Sequence, residues 1–181
     1  MELSKTSYVI LGMLRLGKRT GYDIKALVDV STRFFWAASY GQIYPELRRL
    51  AEAGLIEGTD DSQGGRKRTS YRLTAAGRKA HRDWLAAPPQ IHESRDESLL
   101  KIFFSDFGGP EATIAALQAK RDHHADVAER LRAIAPSKKA ADDSALLTLR
   151  FGIAFNDFIV DWCEREADAA SAARPAASSA A

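Results

Sequence analysis

Apolar side chains recur at helical spacing through the first fifty residues. Val9, Ile10, Met13, Leu14 and Leu16 form one face, predicting a first helix from Lys5 to Leu16, capped by the Ser4 hydroxyl and ended at Gly17. Thr20 is placed to cap a second helix from Gly21 to about Thr32 that turns Ile24, Leu27 and Val28 inward. Arg33–Ala38 reads as an aromatic turn. Ser39 opens a third helix whose apolar positions Ile43, Leu47 and Leu50 fall at i, i+4 and i+7, with Gly54 at its left-handed end. The period then shortens. Leu55–Thr59 reads as a strand, Asp60–Arg66 as a glycine-rich turn and Lys67–Leu73 as a second strand of alternating polarity. Thr74 caps a fourth helix to about Ala86, and Pro88 and Pro89 stop it. Three helices, a hairpin and a fourth helix are the layout of a winged helix-turn-helix domain, assigned to residues 1–87.

Beyond the prolines the pattern is helical throughout. Helices are predicted over Arg95–Phe107, Glu111–Ile134 and Asp142–Asp168, broken by Gly108-Gly109-Pro110 and by Pro136. The fold class is therefore mainly α with a small β-hairpin: a winged helix-turn-helix domain followed by an all-α dimerisation domain over residues 88–168. The Ala/Ser-rich tail, 169–181, has no large apolar residue and is expected to be disordered. No internal repeat is present.

Charge adds a direction. The net charge is only +2, but residues 1–87 hold 15 Lys/Arg against 9 Asp/Glu, whereas residues 88–181 hold 11 against 15. A basic first half attracts a polyanion. Cys163 is the only cysteine, which excludes an intrachain disulfide and a thiolate zinc cage. No secretory signal opens the chain and no apolar stretch approaches the ~20 residues of a membrane span, so a cytoplasmic protein without membrane contact is expected.

The third helix carries the candidate chemistry. With its core direction set by Ile43, Leu47 and Leu50, a rotation of ~100° per residue turns Gly41, Gln42, Pro45, Arg48 and Arg49 outward, with Tyr44 on the flank. Gln42 has the donor–acceptor pair that suits adenine, and Arg48 or Arg49 suits guanine or phosphate. Ser39 and Gly41 let the helix start approach a duplex closely. Pro45 is tolerated only if helical hydrogen bonding begins near Gln42; otherwise it kinks the helix. The hairpin adds Arg66, Lys67 and Arg68 beside Gly64-Gly65, three adjacent cations suited to phosphates or a minor groove. Lys18 and Tyr22, at the start of the second helix, offer a further phosphate anchor. Taken singly, the helix face and the loop read equally as solvated surface; together they favour double-stranded DNA as partner.

Tyr8–Leu14, Gly21-Tyr22-Asp23-Ile24, Phe35-Trp36, the string Gly41-Gln42-Ile43-Tyr44-Pro45-Glu46-Leu47-Arg48-Arg49-Leu50, and Tyr71-Arg72-Leu73-Thr74-Ala75-Ala76-Gly77 resemble the helix-turn-helix of the PadR family. Leu99–Phe104 and Leu149-Arg150-Phe151-Gly152 look like its helical C-terminal domain, so the resemblance covers about residues 5–168. It implies a homodimeric transcriptional regulator, usually a repressor, often released from DNA by a small molecule.

The last helix has two apolar stripes where a monomer's surface helix needs one. Leu146, Leu149, Ile153 and Val160 make one; Leu147, Phe151, Ala154, Phe155, Phe158 and Trp162 make the other. One is expected to pack within the chain and the other on a second copy, each buried side chain contributing roughly 1.5–3 kcal/mol. Leu146, Leu149, Ile153, Phe155, Phe158 and Trp162 are the dimerisation candidates. Phe103, Phe107 and Trp162, with Phe104 and Phe155, are candidates to line a pocket for a small aromatic effector, although aromatics at this spacing are more often core.

Other chemistries fit poorly. Gly12-x-x-x-x-Gly17-Lys18 resembles a phosphate loop but has Arg19 at the Ser/Thr position and a helix where a strand is required. His123 and His124 diverge on a helix and cannot share a metal, and His81 and His92 read as surface histidines. Cys163 reads as a small buried hydrophobe. No nucleophile elbow is present, so no enzyme activity and no cofactor are expected. The rival reading is a winged helix that binds an acidic protein, distinguishable by its weaker salt dependence.

Overall fold

The computed structural model describes residues 2–61, 68–90, 95–134 and 144–172. The chain divides into two compact units, Met1–Ile91 and His92–Ala181. In the first, α1 (Lys5–Arg15), α2 (Gly21–Asp29) and α3 (Tyr40–Glu52) precede the antiparallel hairpin of β1 (Ile56–Asp61) and β2 (Arg68–Leu73), and α4 (Ala75–Ala86) closes the unit. The hairpin pairs Ile56 with Leu73 and Gly58 with Tyr71. Tyr71 N–H also donates to the Arg19 carbonyl at 2.7 Å, which lays the stretch before α2 along the outer edge of β2.

One core joins α1, α2, α3 and the hairpin. Ile10 and Leu11 of α1, Ile24 and Val28 of α2, Ile43, Leu47 and Leu50 of α3 and Ile56 of β1 are all buried. The caps follow the hydroxyl logic of the sequence: Ser4 accepts from Ser7 N–H at 3.0 Å, Thr20 from Asp23 N–H at 3.1 Å and Thr74 from Gly77 N–H at 3.0 Å. Thr74 also donates to the carbonyls of Gly54 and Leu55, so α4 starts directly on the turn that ends α3.

Two departures from expectation have local causes, and one condition is met. The second helix stops at Asp29, because Ser31 Oγ donates to the Leu27 carbonyl at 2.6 Å and competes with helix continuation; a 3₁₀ turn, Thr32–Phe34, follows. His81, expected at the surface, is buried between α4 and α1, 5.8 Å from the Trp84 ring, which itself stacks on Tyr8 at 4.5 Å. Desolvation, reinforced by the Arg15 charge, pushes the His81 imidazole below its ordinary value. Pro45 leaves α3 unbroken. Gln42 and Ile43 N–H reach the Ser39 carbonyl at 3.1 and 2.9 Å, and the helix continues to Glu52.

In the second unit, α5 (Glu97–Phe103) and a 3₁₀ turn (Ser105–Gly108) replace the single predicted helix, followed by α6 (Pro110–Arg132) and α7 (Ser144–Ala172). Gly109 adopts φ +79° and hands over to Pro110 at the first helical position of α6. Asp96 caps α5 through Ser98 and Leu99 N–H and pairs with the buried Lys120 of α6. Asn156 Oδ1 meets His124 Nδ1 at 2.7 Å across the α6–α7 seam, and Cys163 is buried there, its thiol pushed up by desolvation. The last helix runs through the first part of the tail expected to be disordered, to Ala172; alanine is the best helix former, so the absence of large apolar residues does not end it.

Candidate nucleic-acid interface

Ile43, Leu47 and Leu50 hold α3 to the core with no exposed surface, which leaves Gly41, Gln42, Tyr44, Pro45 and Arg48 on the outer face. A helix anchored on one side and polar on the other has the form required to enter a major groove. α2 comes very close behind it: a Cβ built on Gly21 would lie 2.7 Å from the Tyr44 ring and 3.2 Å from Leu47.

The outer residues are not equally free. Gln42 Oε1 accepts the Ser39 backbone N–H at 2.9 Å and lies 3.2 Å from its hydroxyl, so the amide closes its own helix end. Arg49 is a more thorough departure from expectation. Its Nε and Nη2 grip the two oxygens of Glu46 at 3.0 and 2.7 Å, and Nη2 reaches Ser7 Oγ at 3.2 Å. Ser4 and Ser7 hydroxyls also donate to Glu46. Arg49 therefore joins α3 to the N-terminus of α1, and Arg48 is left as the exposed arginine of this helix. The sequence places both arginines outside the core and offers each a carboxylate at helical spacing, Glu46 three residues before Arg49 and Glu52 four after Arg48, which leaves open the one that is held.

Burial pushes the Glu46 carboxyl up, but hydrogen bonds from Arg49, Ser7 and Ser4 outweigh it and hold the group below its ordinary value. A depressed carboxyl stabilises above the unfolded-state value and loses that contribution as pH falls through the folded one. Glu46→Gln is accordingly expected to cost about 1–2 kcal/mol at pH 7 and to narrow the gap from wild type below about pH 4, read by urea unfolding across pH. A gap that stays constant or widens on acidification would contradict the assignment.

At the hairpin, Arg68 Nη2 lies 3.3 Å from Asp23 Oδ2 and ties β2 to α2. Both side chains are substantially solvated, so the pair is weak and Arg68 can exchange it for a phosphate. Arg66 and Lys67 lie outside the described residues. Tyr22 is exposed on α2, whereas Lys18 is half-buried at the opposite end of the sheet, beside Leu14 and Tyr71. Tyr40 joins this surface unannounced by the charge pattern: its ring stacks on Tyr44 at 6.0 Å with Lys25 Nζ 5.4 Å above it. Its i, i+4 spacing from Tyr44 was the available signal.

The two stripes of α7 separate cleanly. Asn156 and Cys163 mark the buried side, and a rotation of ~100° per residue places Leu146, Leu149, Ile153 and Val160 within about 80° of it; all four are half-buried. Leu146, Leu149 and Ile153 thus lie on the half-buried side of the helix, with Asn156 and Cys163. Leu147, Phe151, Phe155 and Phe158 stand out on the other side, between 47% and 70% exposed, with Trp162 half-buried at its edge. On α5 and at its C-terminal cap, Leu99, Leu100, Phe103 and Phe104 are exposed as well. Phe103 and Phe107 are 78% and 92% exposed, too open to the solvent to enclose a ligand within one chain.

Residues 10–83 match the Transcriptional regulator PadR-like family, and residues 94–169 match Virulence activator alpha C-term. The negative transcriptional regulator PadR of Bacillus subtilis is 39% identical over 99 residues, an alignment that spans about half of each chain, 54%. The crystal structure of that protein in complex with operator DNA superposes with a TM-score of 0.80 at 28% identity, covering 91% of this chain and 98% of that one. Its complex with p-coumaric acid gives 0.75 at 27% identity, with the same coverage. The helix-turn-helix with its hairpin and the helical unit that follows it in sequence both find their counterparts in these regulators, and residues 10–83 form a domain of the PadR-like family of transcriptional regulators.

Proposed function

We propose that the chain is a cytoplasmic homodimeric repressor that binds operator DNA through its first unit and releases it when a small aromatic molecule binds. The observation that carries this reading is α3, whose inner face is fully buried while its outer face offers Gln42, Tyr44 and Arg48, in a chain whose fold matches a relative crystallised on its operator. Ser39 and Gly41 form the closely approaching helix start, and Tyr22 with the wing cations Arg66, Lys67 and Arg68 contacts the backbone. Arg49 serves by holding Glu46. Lys18, at the far end of the sheet, falls outside this footprint.

The second unit supplies the dimer contact through the outer stripe of α7 and the exposed face of α5. Two-fold symmetry then matches half-sites one helical turn, ~34 Å, apart. An effector site built on Phe103, Phe107 and Trp162 forms only once the second copy covers them, since side chains this exposed cannot shield a ligand alone.

Selection of bound duplexes from a random pool is expected to return a two-fold symmetric motif. Arg48→Ala should relax preference at one base pair per half-site and weaken the selected duplex by roughly 1–3 kcal/mol for each half-site. Arg68→Ala should weaken all duplexes alike and reduce the salt slope by about one per protomer. Selection without symmetry, or an Arg48→Ala protein with unchanged preference, would refute the assignment.

A further inference from the structure

A groove of about 490 Å³ opens on the first unit between the end of α1, the stretch before α2, the end of β2 and the first turn of α4. Arg15, Lys18, Arg19, Arg72 and Arg78 line it, over a floor of Leu14, Tyr71 and Leu73. Among the described residues, no carboxylate pairs with Arg15, Lys18 or Arg19. Arg72 pairs with Glu57 across the hairpin in an exposed and therefore weak contact, and Arg78 Nη1 donates to the Leu73 carbonyl at 2.8 Å, leaving its other donors available. The backbone beneath is fixed, because Arg19 C=O is bonded to Tyr71 N–H. Five basic residues line one concavity, Arg72 from the face of β2 opposite Tyr71 and Leu73 and the other four without a carboxylate partner among the described residues, and a multiply charged anion relieves the mutual repulsion of these cations.

This is not the outer face of α3. Strand β2 begins at Arg68, paired with Asp23 of α2, and ends at the groove. At about 3.3 Å per residue, Arg72 lies roughly 13 Å along the strand from the base of the wing. The groove therefore sits at the root of the hairpin.

We propose that the groove binds a small organic polyanion with a flat apolar body and two or more phosphates, the class of nucleoside di- and triphosphates. The volume is that of a ligand site, the guanidiniums offer forked donors to phosphate oxygens, and the Tyr71 ring with Leu14 and Leu73 receives the flat body. The phosphate chemistry is shared with a DNA backbone, and the two sources separate experimentally. The site does not depend on operator binding, so either reading can fail without the other.

Calorimetric titration of the intact protein with ADP and with inorganic pyrophosphate tests it. One ADP per chain is expected, bound at least tenfold more tightly than pyrophosphate. The double variant Arg15→Gln/Arg78→Gln should weaken ADP at least tenfold while its melting temperature and its operator affinity without ADP stay unchanged. If the double variant does not fold, the single exposed change Arg15→Gln carries the same test, with a threefold or greater loss expected. Absence of saturable ADP binding, or ADP affinity unaltered by the variants, would overturn the proposal. So would loss of operator affinity with a shallower salt slope, which would assign these cations to the duplex backbone.

Discussion

Replacing Gly77 by alanine should destabilise the first unit by more than about 3 kcal/mol. A Cβ at this position would lie 2.0 Å from the Leu55 carbonyl oxygen and 3.2 Å from Leu73 Cδ2. The nearer contact is backbone, held by hydrogen bonds from Thr74 N–H and Thr74 Oγ1, so it cannot swing aside as a flexible side chain would. To make room, α4 must lift off the turn between α3 and β1, which breaks the Thr74 cap and the packing of Tyr8 on Trp84 together. Urea unfolding of the full chain should show a lower midpoint at similar slope. Gly41→Ala is the matched control: its Cβ meets only Ser39 Oγ at 3.7 Å, and alanine is the better helix former, so stability should hold or rise slightly. A Gly77→Ala protein within about 1 kcal/mol of wild type would show that α4 is not seated as described.

The second large effect concerns assembly. Phe151→Asp/Phe158→Asp is expected to yield a folded monomer that binds the operator at least a hundredfold more weakly. Both rings lie on the outer stripe of α7, 70% and 59% exposed in the isolated chain. In a two-fold interface each substitution occurs twice, so four carboxylates would enter one apolar patch. Sedimentation velocity reads the oligomeric state and circular dichroism reads the fold. Leu149→Ala, on the half-buried side of α7, should instead lower the melting temperature. A double variant that stays dimeric would move the interface elsewhere.

What the sequence disclosed and what it withheld divide along the range of the interactions. Helix positions, caps and the hairpin follow from neighbours within four residues: Ser4, Thr20 and Thr74 each announce a helix, and Ile43, Leu47 and Leu50 orient α3. The presence of two stripes on α7 was equally plain. Which stripe faced inward was not, because that depends on where α6 places Leu131, whose Cδ1 lies 2.9 Å from the Cβ position of Gly152. Arg49 escaped in part for the same reason: Glu46 is three residues away, but Ser7, which accepts from Arg49, and Ser4, which donates to Glu46, are some forty positions away. The basic groove is the extreme case. Arg15, Lys18 and Arg19 are near neighbours, but Arg72 and Arg78 come from the other side of the hairpin, and no local pattern joins them.

The amide of Gln42, folded back onto Ser39, bears on how such a protein would search a genome. While it stays tucked in, the helix presents a short, smooth front that slides over unrelated sequence without snagging on each base pair. Only an edge able to take the amide's carbonyl and amino group together gives back more than the surrendered backbone bond. If Gln42 reads a base as proposed, a partial match would gain too little to pull the side chain out, near-cognate sites would be left quickly, and dwell time would become the quantity in which the correct sequence stands apart.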